Sequence, residues 1–250
     1  MKLLMSALLP LLFLALPASA QPTLTFGANW SFTSTGQPQV GSPLHIAYDT
    51  TRLPQCRGAS WGITGYYMMD HGAVQSFPVA DASTPGTSAV AVLNPALGGN
   101  MELWFNNWDS TGCSTWDSNM GWNFQAKVLQ NPTLSFHENW THTQFGTLQR
   151  GTTLMVDYDI DRLGQCRAYY AQYTAWNVQV YYSFDGGPVQ LKDLTVGWGE
   201  FNTLYRAQAP AFIPLPVGAT TLEMWFYNGD RKNCSAYDSN LGQNYVFTLQ

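Results

Sequence analysis

Leu44-His45-Ile46-Ala47-Tyr48-Asp49 alternates apolar and polar side chains, and Leu154-Met155-Val156-Asp157-Tyr158-Asp159 repeats the pattern about 110 residues later. The set Leu44, Ile46, Tyr48 is kept as Leu154, Val156, Tyr158, while His45 and Ala47 drift to Met155 and Asp157. A period of two with one constant face describes a strand that buries one side and wets the other. Both stretches continue alike: Arg52-Leu53 and Gln55-Cys56-Arg57 answer Arg162-Leu163 and Gln165-Cys166-Arg167. The chain therefore carries one unit twice.

The repeat extends outward from these strands. Thr23-Leu24-Thr25-Phe26 with Asn29-Trp30 returns as Thr133-Leu134-Ser135-Phe136 with Asn139-Trp140. Glu102-x-Trp104-Phe105 returns as Glu223-x-Trp225-Phe226, and Trp116-Asp117-Ser118-Asn119-x-Gly121-x-Asn123 as Tyr237-Asp238-Ser239-Asn240-x-Gly242-x-Asn244. Strands read over Trp61 to Tyr67 and Trp176 to Tyr182 end in Asp70-His71-Gly72 and Asp185-Gly186-Gly187, the residues tight hairpins need. Return strands begin near Val74-Gln75 and Val189-Gln190. No long window shows a 3.6-residue period. Seven or eight short strands per half predict an all-β fold of two tandem immunoglobulin-like or jelly-roll-type antiparallel β-sandwiches, residues 21–130 and 131–250. The junction at Gln130-Asn131-Pro132 is short, so the two units are expected to touch.

The copies differ in length at two places. Extra residues lie within Ala168 to Ala175 and around Trp198 to Ala209, both in the second copy. Insertions collect in exposed loops, which puts Tyr169, Tyr170, Tyr173, Trp198, Phe201 and Tyr205 within reach of a ligand in that copy alone.

Met1-Lys2, the apolar run Leu3 to Leu16, Pro17 and Ala18-Ser19-Ala20 read as a secretory signal peptide over residues 1–20, with a mature start at Gln21. The alternative is a retained anchor, for which the run is short. The expected location is secreted or periplasmic, with no membrane span in the mature chain. Export favours disulfides. Of three connectivities, only Cys56–Cys113 with Cys166–Cys234 gives each copy an equivalent bridge. A zinc site would need close cysteine spacings that are absent.

The formal charge is −5, and only 11% of residues are charged, against ~25% in a typical domain. Basic clusters are missing, which argues against nucleic acid as a partner. Ten Trp and thirteen Tyr on a surface poor in charge suit a neutral polar ligand, a glycan above all, although most rings in such a fold fill its cores.

Three constellations bear on chemistry. Met101, Leu103 and Phe105 should face the core, which leaves Glu102 beside Trp104, and Glu223 beside Trp225, on the other face. A ring that stacks on a pyranose and a carboxylate that accepts from its hydroxyls make a sugar site. The alternative pairs each Glu with Arg52 or Arg57, or Arg162 or Arg167. The Asp-Ser-Asn-x-Gly-x-Asn segment reads as a turn locked by its own side chains, as a direct ligand contact, or as a calcium loop. Asp109, Asp117 and Asn119 would offer the oxygens in the first copy, and Asp230, Asp238 and Asn240 in the second. Its spacing does not match the helical calcium loop. Calcium is the one cofactor left open. Catalysis has little support. His45, His71, His137 and His142 have no counterparts between copies, and no nucleophile or metalloprotease motif is present. A glycosidase could in principle run on two carboxylates, for instance Glu102 with Asp117.

The order Asp-x-x-Arg-Leu-x-Gln-Cys-Arg, Glu-x-Trp-Phe, then Cys-x-x-[Trp/Tyr]-Asp-Ser-Asn-x-Gly-x-Asn-[Phe/Tyr] resembles a family of secreted bacterial domains of unknown function. The resemblance covers both halves and implies an exported all-β domain. Over about ten residues per copy, Trp116 to Phe124 and Tyr237 to Tyr245 are also similar to the run before the last strand of starch-binding carbohydrate-binding modules. Ser118 and Ser239 stand where those modules have their first Asn, and Met120 and Leu241 where they have Gly. Together these features predict an exported, non-enzymatic, monomeric protein that binds a neutral glycan through Glu102, Trp104, Glu223 and Trp225. A protein-interaction module of the cell envelope is the second reading, and a glycoside hydrolase the third.

Overall fold

The computed structural model describes residues 21–84, 86–199 and 204–250. The leader expected over residues 1–20 and the ring of Phe201 lie outside them. Two β-sandwiches follow one another along the chain. In the first, β1 (Thr23–Phe26), β2 (Phe32–Thr35), β3 (Leu44–Asp49) and β6 (Ser88–Leu93) make one sheet in the order β2-β1-β3-β6. Facing it are β4 (Trp61–Met69), β5 (Gln75–Asp81), β7 (Gly99–Asp109), β8 (Ser114–Asp117) and β9 (Phe124–Val128), in the order β5-β4-β7 with β8 and β9 both on the far edge of β7.

The second sandwich repeats this plan. One sheet holds β10 (Thr133–Phe136), β11 (His142–Phe145), β12 (Thr153–Tyr158) and β19 (Ala211–Pro214). The other holds β15 (Trp176–Phe184), β16 (Gln190–Asp193), β20 (Thr221–Asp230), β21 (Ser235–Asp238) and β22 (Tyr245–Thr248). Its two insertions fold as small ribbons, β13 (Tyr169–Tyr170) with β14 (Tyr173–Thr174), and β17 (Thr195–Trp198) with β18 (Tyr205–Gln208).

The alternating faces meet as predicted. Leu24, Leu44, Ile46, Met101, Leu103 and Phe105 are fully buried in one core, and Leu134, Leu154, Val156, Leu222, Met224 and Phe226 in the other. Each core is keyed by aromatic rings. Phe105 lies 4.7 Å from Phe26 and 4.3 Å from Tyr48, and Phe226 lies 4.5 Å from Phe136 and 4.1 Å from Tyr158. Cys56–Cys113 and Cys166–Cys234 form the two disulfides, with Cα separations of 5.2 and 5.1 Å.

The expectation of wholly antiparallel sheets needs correction. β1 runs parallel to β3, with Leu24 beside Ile46, and β10 runs parallel to β12, with Leu134 beside Val156. β1 and β2 form a hairpin, after which the chain returns past β1 and lays β3 on its other side in the same direction.

A second feature concerns the edge of β7. Phe105 pairs with Asp117 on β8, and Leu103 pairs with Phe124 on β9. β8 and β9 therefore occupy one lane, and residues 118–123 leave it as an extruded loop. In the second copy Phe226 pairs with Asp238, Met224 with Tyr245, and residues 239–244 are extruded. Among the described residues no helix is long and apolar enough to cross a membrane.

Candidate functional site

Most motif residues shared by the copies build one buried network per copy. Asp49 caps the short 3₁₀ turn Thr50–Arg52 by accepting from the Thr51 N–H at 2.9 Å. That turn aims Arg52 into the core. Its Nε donates to Asp117 Oδ2 at 2.7 Å, its Nη2 to Asp117 Oδ1 at 3.2 Å, and its Nη1 to the carbonyls of Gly27 and Ser31. The Tyr48 hydroxyl donates to the same carboxylate at 2.9 Å, and burial followed by that carboxylate drives the phenol far above its ordinary range. Arg162, Asp238 and Tyr158 repeat the arrangement. There Tyr245 takes the place of Phe124 and adds a bond of 2.7 Å to Asp238 Oδ1. Burial, with Asp238, pushes this hydroxyl up to about 12. Asn107 and Asn228 tie the same turns by donating to the carbonyls of Leu53 and Gln55, and of Leu163 and Gln165.

This network corrects two expectations. The arginines pair not with Glu102 or Glu223 but with Asp117 and Asp238. Arg57 and Arg167 donate to turn carbonyls and lie over the rings of Trp61 and Trp176. Asp117 also lies on the core side of its sheet, opposite Phe105, whereas Glu102 lies on the other face, so the two cannot flank one glycosidic bond. The oxygens offered for calcium have separate partners. Asp109 caps the hairpin after β7 through Thr111 and Cys113, and Asp230 does so through Lys232 and Cys234. Asn119 and Asn240 donate to the carbonyls of Asn123 and Asn244 within their own loops. Among the described residues no three His, Cys, Asp or Glu side chains converge as a metal site.

The two most specific motifs of each copy prove to be bonded to each other. Asn123, the last residue of the extruded loop, donates from Nδ2 to Glu102 Oε2 at 3.1 Å, and Asn244 donates to Glu223 Oε1 at 2.7 Å. Trp104 is half-buried and stacks on Tyr66, its cross-strand partner, at 5.9 Å and 10°, and Trp225 stacks on Tyr181 at 5.8 Å and 15°.

The first copy adds more at Glu102. A cleft of about 510 Å³ opens there between the copies. Its first wall is Met68 on β4, His71 on the turn that follows it, Glu102 on β7, Trp122 and Asn123 on the extruded loop, and Gln125 on β9. Its second wall comes from the insertions of the other copy, with Tyr169, Trp198, Tyr205 and Arg206. His71 Nδ1 lies 2.9 Å from Glu102 Oε1, and its ring stacks on Trp198 at 5.0 Å and 11°. Trp198 in turn meets Tyr205 at 4.5 Å. Glu102 is only 6% exposed. Burial pushes its carboxyl up, but the bonds from His71 and Asn123 more than offset this and hold it below the usual carboxylate range. The group is therefore charged at neutral pH and faces aromatic walls. Arg206 donates to Asn177 Oδ1 and Thr195 Oγ1, and burial lowers its pKa. A carboxylate acceptor, an amide donor and ring faces around an open cleft can hold a polyol by stacking on its apolar face and bonding its edge.

Sequence reasoning placed Glu102, Trp198, Tyr169 and Tyr205 near a ligand but missed His71, Trp122 and Arg206. His71 has no counterpart in the second copy, and the insertions have none in the first. These two asymmetries meet in one cleft, and that coincidence was the available signal.

No curated protein matches the chain. Among solved structures it is similar to the Bacteroides ovatus mixed-linkage glucan utilization locus SGBP-B in complex with a mixed-linkage heptasaccharide, with 10% identity and a TM-score of 0.18 over 78% of this chain and 41% of that one. The chain spans less than half of that protein's length, and a likeness this slight says nothing of ligand. A family model matches residues 19–250, nearly the whole sequence and both sandwiches, so the chain belongs to the Family of unknown function (DUF6209).

Proposed function

We propose that the protein is exported, is not an enzyme, and binds a neutral glycan in the cleft between its two sandwiches. The observation that carries this reading is the Glu102 carboxylate, charged and held by His71 and Asn123, facing a space of about 510 Å³ walled by Trp122, Trp198 and Tyr205. The volume lies within the roughly 300–1,000 Å³ of small-ligand sites and takes one or two sugar rings. Glu102 accepts hydroxyl hydrogen bonds and Trp198 supplies the stacking face. Trp104 extends the Glu102 face toward Tyr66. Glu223 and Trp225 repeat the carboxylate and the ring on the second copy as further contacts.

The test is electrophoresis of residues 21–250 in gels containing amylopectin, mixed-linkage β-glucan or galactomannan, with calorimetry on a hexasaccharide of each. At least one polymer should retard the chain, and one hexasaccharide should bind. Trp198→Ala should abolish hexasaccharide binding. Glu102→Gln should weaken it about tenfold, as expected for one charge-assisted hydrogen bond of ~1.5 kcal/mol, while Trp225→Ala, outside the cleft, spares the hexasaccharide and lowers only retardation by the polymer. Equal migration in all gels together with flat calorimetric traces would remove the glycan reading. Release of new reducing ends would turn it toward an enzyme.

A further inference from the structure

The extruded loop of each copy has an outer side that the cleft does not use. In the first copy Trp30 is 62% and Met120 100% exposed, and Trp116 is exposed beside them with its ring against Tyr66. The three rim a hollow of about 520 Å³ floored by Arg52, Asp117 and Phe124, with Ser118 and Asn119 on its wall. The second copy has residues of the same kind at the matching positions: Trp140 is 59% and Leu241 103% exposed, and the exposed Tyr237 packs on Tyr227 at 5.1 Å. The indoles of Trp30 and Trp140 lie 4.8 and 5.0 Å from the Arg52 and Arg162 guanidinium carbons.

Two features of this rim run against the economy of a fold. Its side chains are large, apolar and in water. Four of them also sit on a left-handed backbone, with φ of 62° at Trp30, 66° at Trp140, 57° at Met120 and 59° at Leu241. Bulky residues adopt that conformation only when the surroundings impose it, and Gly or Asn would do so at lower energy. Met120 and Leu241 are fully exposed, so core packing gives no reason for their size. The copies have diverged at most exposed positions, yet both retain an aromatic, a second aromatic and an aliphatic here. The guanidinium beneath gives Trp30 and Trp140 a reason within the fold, whereas Met120 and Leu241, fully exposed, point to a requirement outside it.

We infer that each copy carries a second, equivalent glycan-contact site at this rim, built on Trp30, Trp116 and Met120 in the first and Trp140, Tyr237 and Leu241 in the second. The inference rests on the glycan reading of the cleft and adds to it. The ligand class follows from charge. No Lys, Glu or unpaired Asp lines the first rim, and the floor pair Arg52–Asp117 is internally neutral. The rim thus presents ring faces, a hydroxyl and an amide, which suit a pyranose that is apolar on its face and polar at its edge. An anionic lipid surface would call for basic residues. With the cleft and the Glu223–Trp225 face the molecule then has four contact points, and a polymer long enough to reach more than one is held more tightly than a short oligosaccharide.

The experiment compares polymer with oligosaccharide. Trp30→Ala with Trp140→Ala, and separately Met120→Ser with Leu241→Ser, are made in residues 21–250; the second pair is fully exposed, so folding is not at stake. Retardation by amylopectin, mixed-linkage β-glucan and galactomannan is measured beside calorimetry on their hexasaccharides. Both variants should lose polymer affinity by about tenfold or more and keep the cleft's hexasaccharide affinity. If Trp198→Ala ends hexasaccharide binding while rim variants are retarded like the parent, the rim inference is overturned and the cleft stands. If retardation survives Trp198→Ala and disappears only in rim variants, the rim stands and the cleft reading falls. A parent that ignores every polymer overturns both. Rim variants that change sedimentation but not retardation assign this face to self-association and overturn the inference as well.

Discussion

Arg52 makes four hydrogen bonds inside a core, three residues after the strand that carries Tyr48. Asp117, 65 residues away, supplies two of the acceptors. A buried pair contributes modestly to stability as a pair, but removing one member strands the other charge and costs about 3–5 kcal/mol. Arg52→Met should therefore destabilise the first sandwich by about that much in urea titration, and Arg52→Met with Asp117→Leu should be less destabilised than the single variant. A single variant within ~1 kcal/mol of the parent would show that the pair does not organise this core. The residues of this network were legible as a set, because both copies keep them. Their pairing was not. Glu102 and Asp117 are both acidic and both repeated, and only the face each occupies on its sheet decides which meets an arginine. β8 is too short, at Ser114–Asp117, for alternation to reveal that face.

At the scale of elements, the turn Asp clasps the start of the next central strand in both copies, with opposite shifts of its carboxyl. Asp185 follows β15 and clasps the start of β20, accepting from the N–H and hydroxyl groups of Thr220 and Thr221. These bonds pull its carboxyl down to about 2 from 3.8. A depressed folded value means the contribution is fully present above the unfolded pKa and disappears as pH falls through about 2. Asp185→Asn should flatten the dependence of Tm on pH between about 4 and about 2 relative to the parent, as read by calorimetry; a curve parallel to the parent's would dismiss the clasp. Its counterpart Asp70 accepts from Asn100, and burial raises its carboxyl instead. The strands themselves were readable from alternation and from Asp and Gly at their turns. The parallel neighbours β1 and β3 were not, because a period of two reports which face is buried and says nothing about which strand lies alongside.

The whole molecule joins two complete cores through a polar seam. Lys127 Nζ lies 2.6 Å from Asp157 Oδ1, Asn100 Nδ2 donates to the Gln208 carbonyl at 3.2 Å, and Gln130 donates to the Thr153 carbonyl at 2.8 Å. His71 on Trp198 adds a ring contact across the cleft. Asp157 is nearly enclosed while Lys127 keeps some water, so Lys127→Met should lower the stability of the full chain by more than the ~1 kcal/mol of an exposed pair and less than the ~3 kcal/mol of a buried one. The loss should be shared by both halves in hydrogen exchange; protection lost in one half alone would show that the seam does not couple them. The cleft was half legible from the sequence. Duplication exposes what the copies share, whereas this site is assembled from what each has separately, and no comparison of one copy with the other can show that His71 and Trp198 touch.

Because β9 resumes the lane that β8 leaves, the chain between Ser118 and Asn123 can change length and content while strand phase on either side is preserved. Each sandwich thus has a place where a longer or different segment could be inserted without shifting the register of the strands beside it. A library of peptides spliced there would alter what the surface recognises and leave the scaffold's folding code as it was.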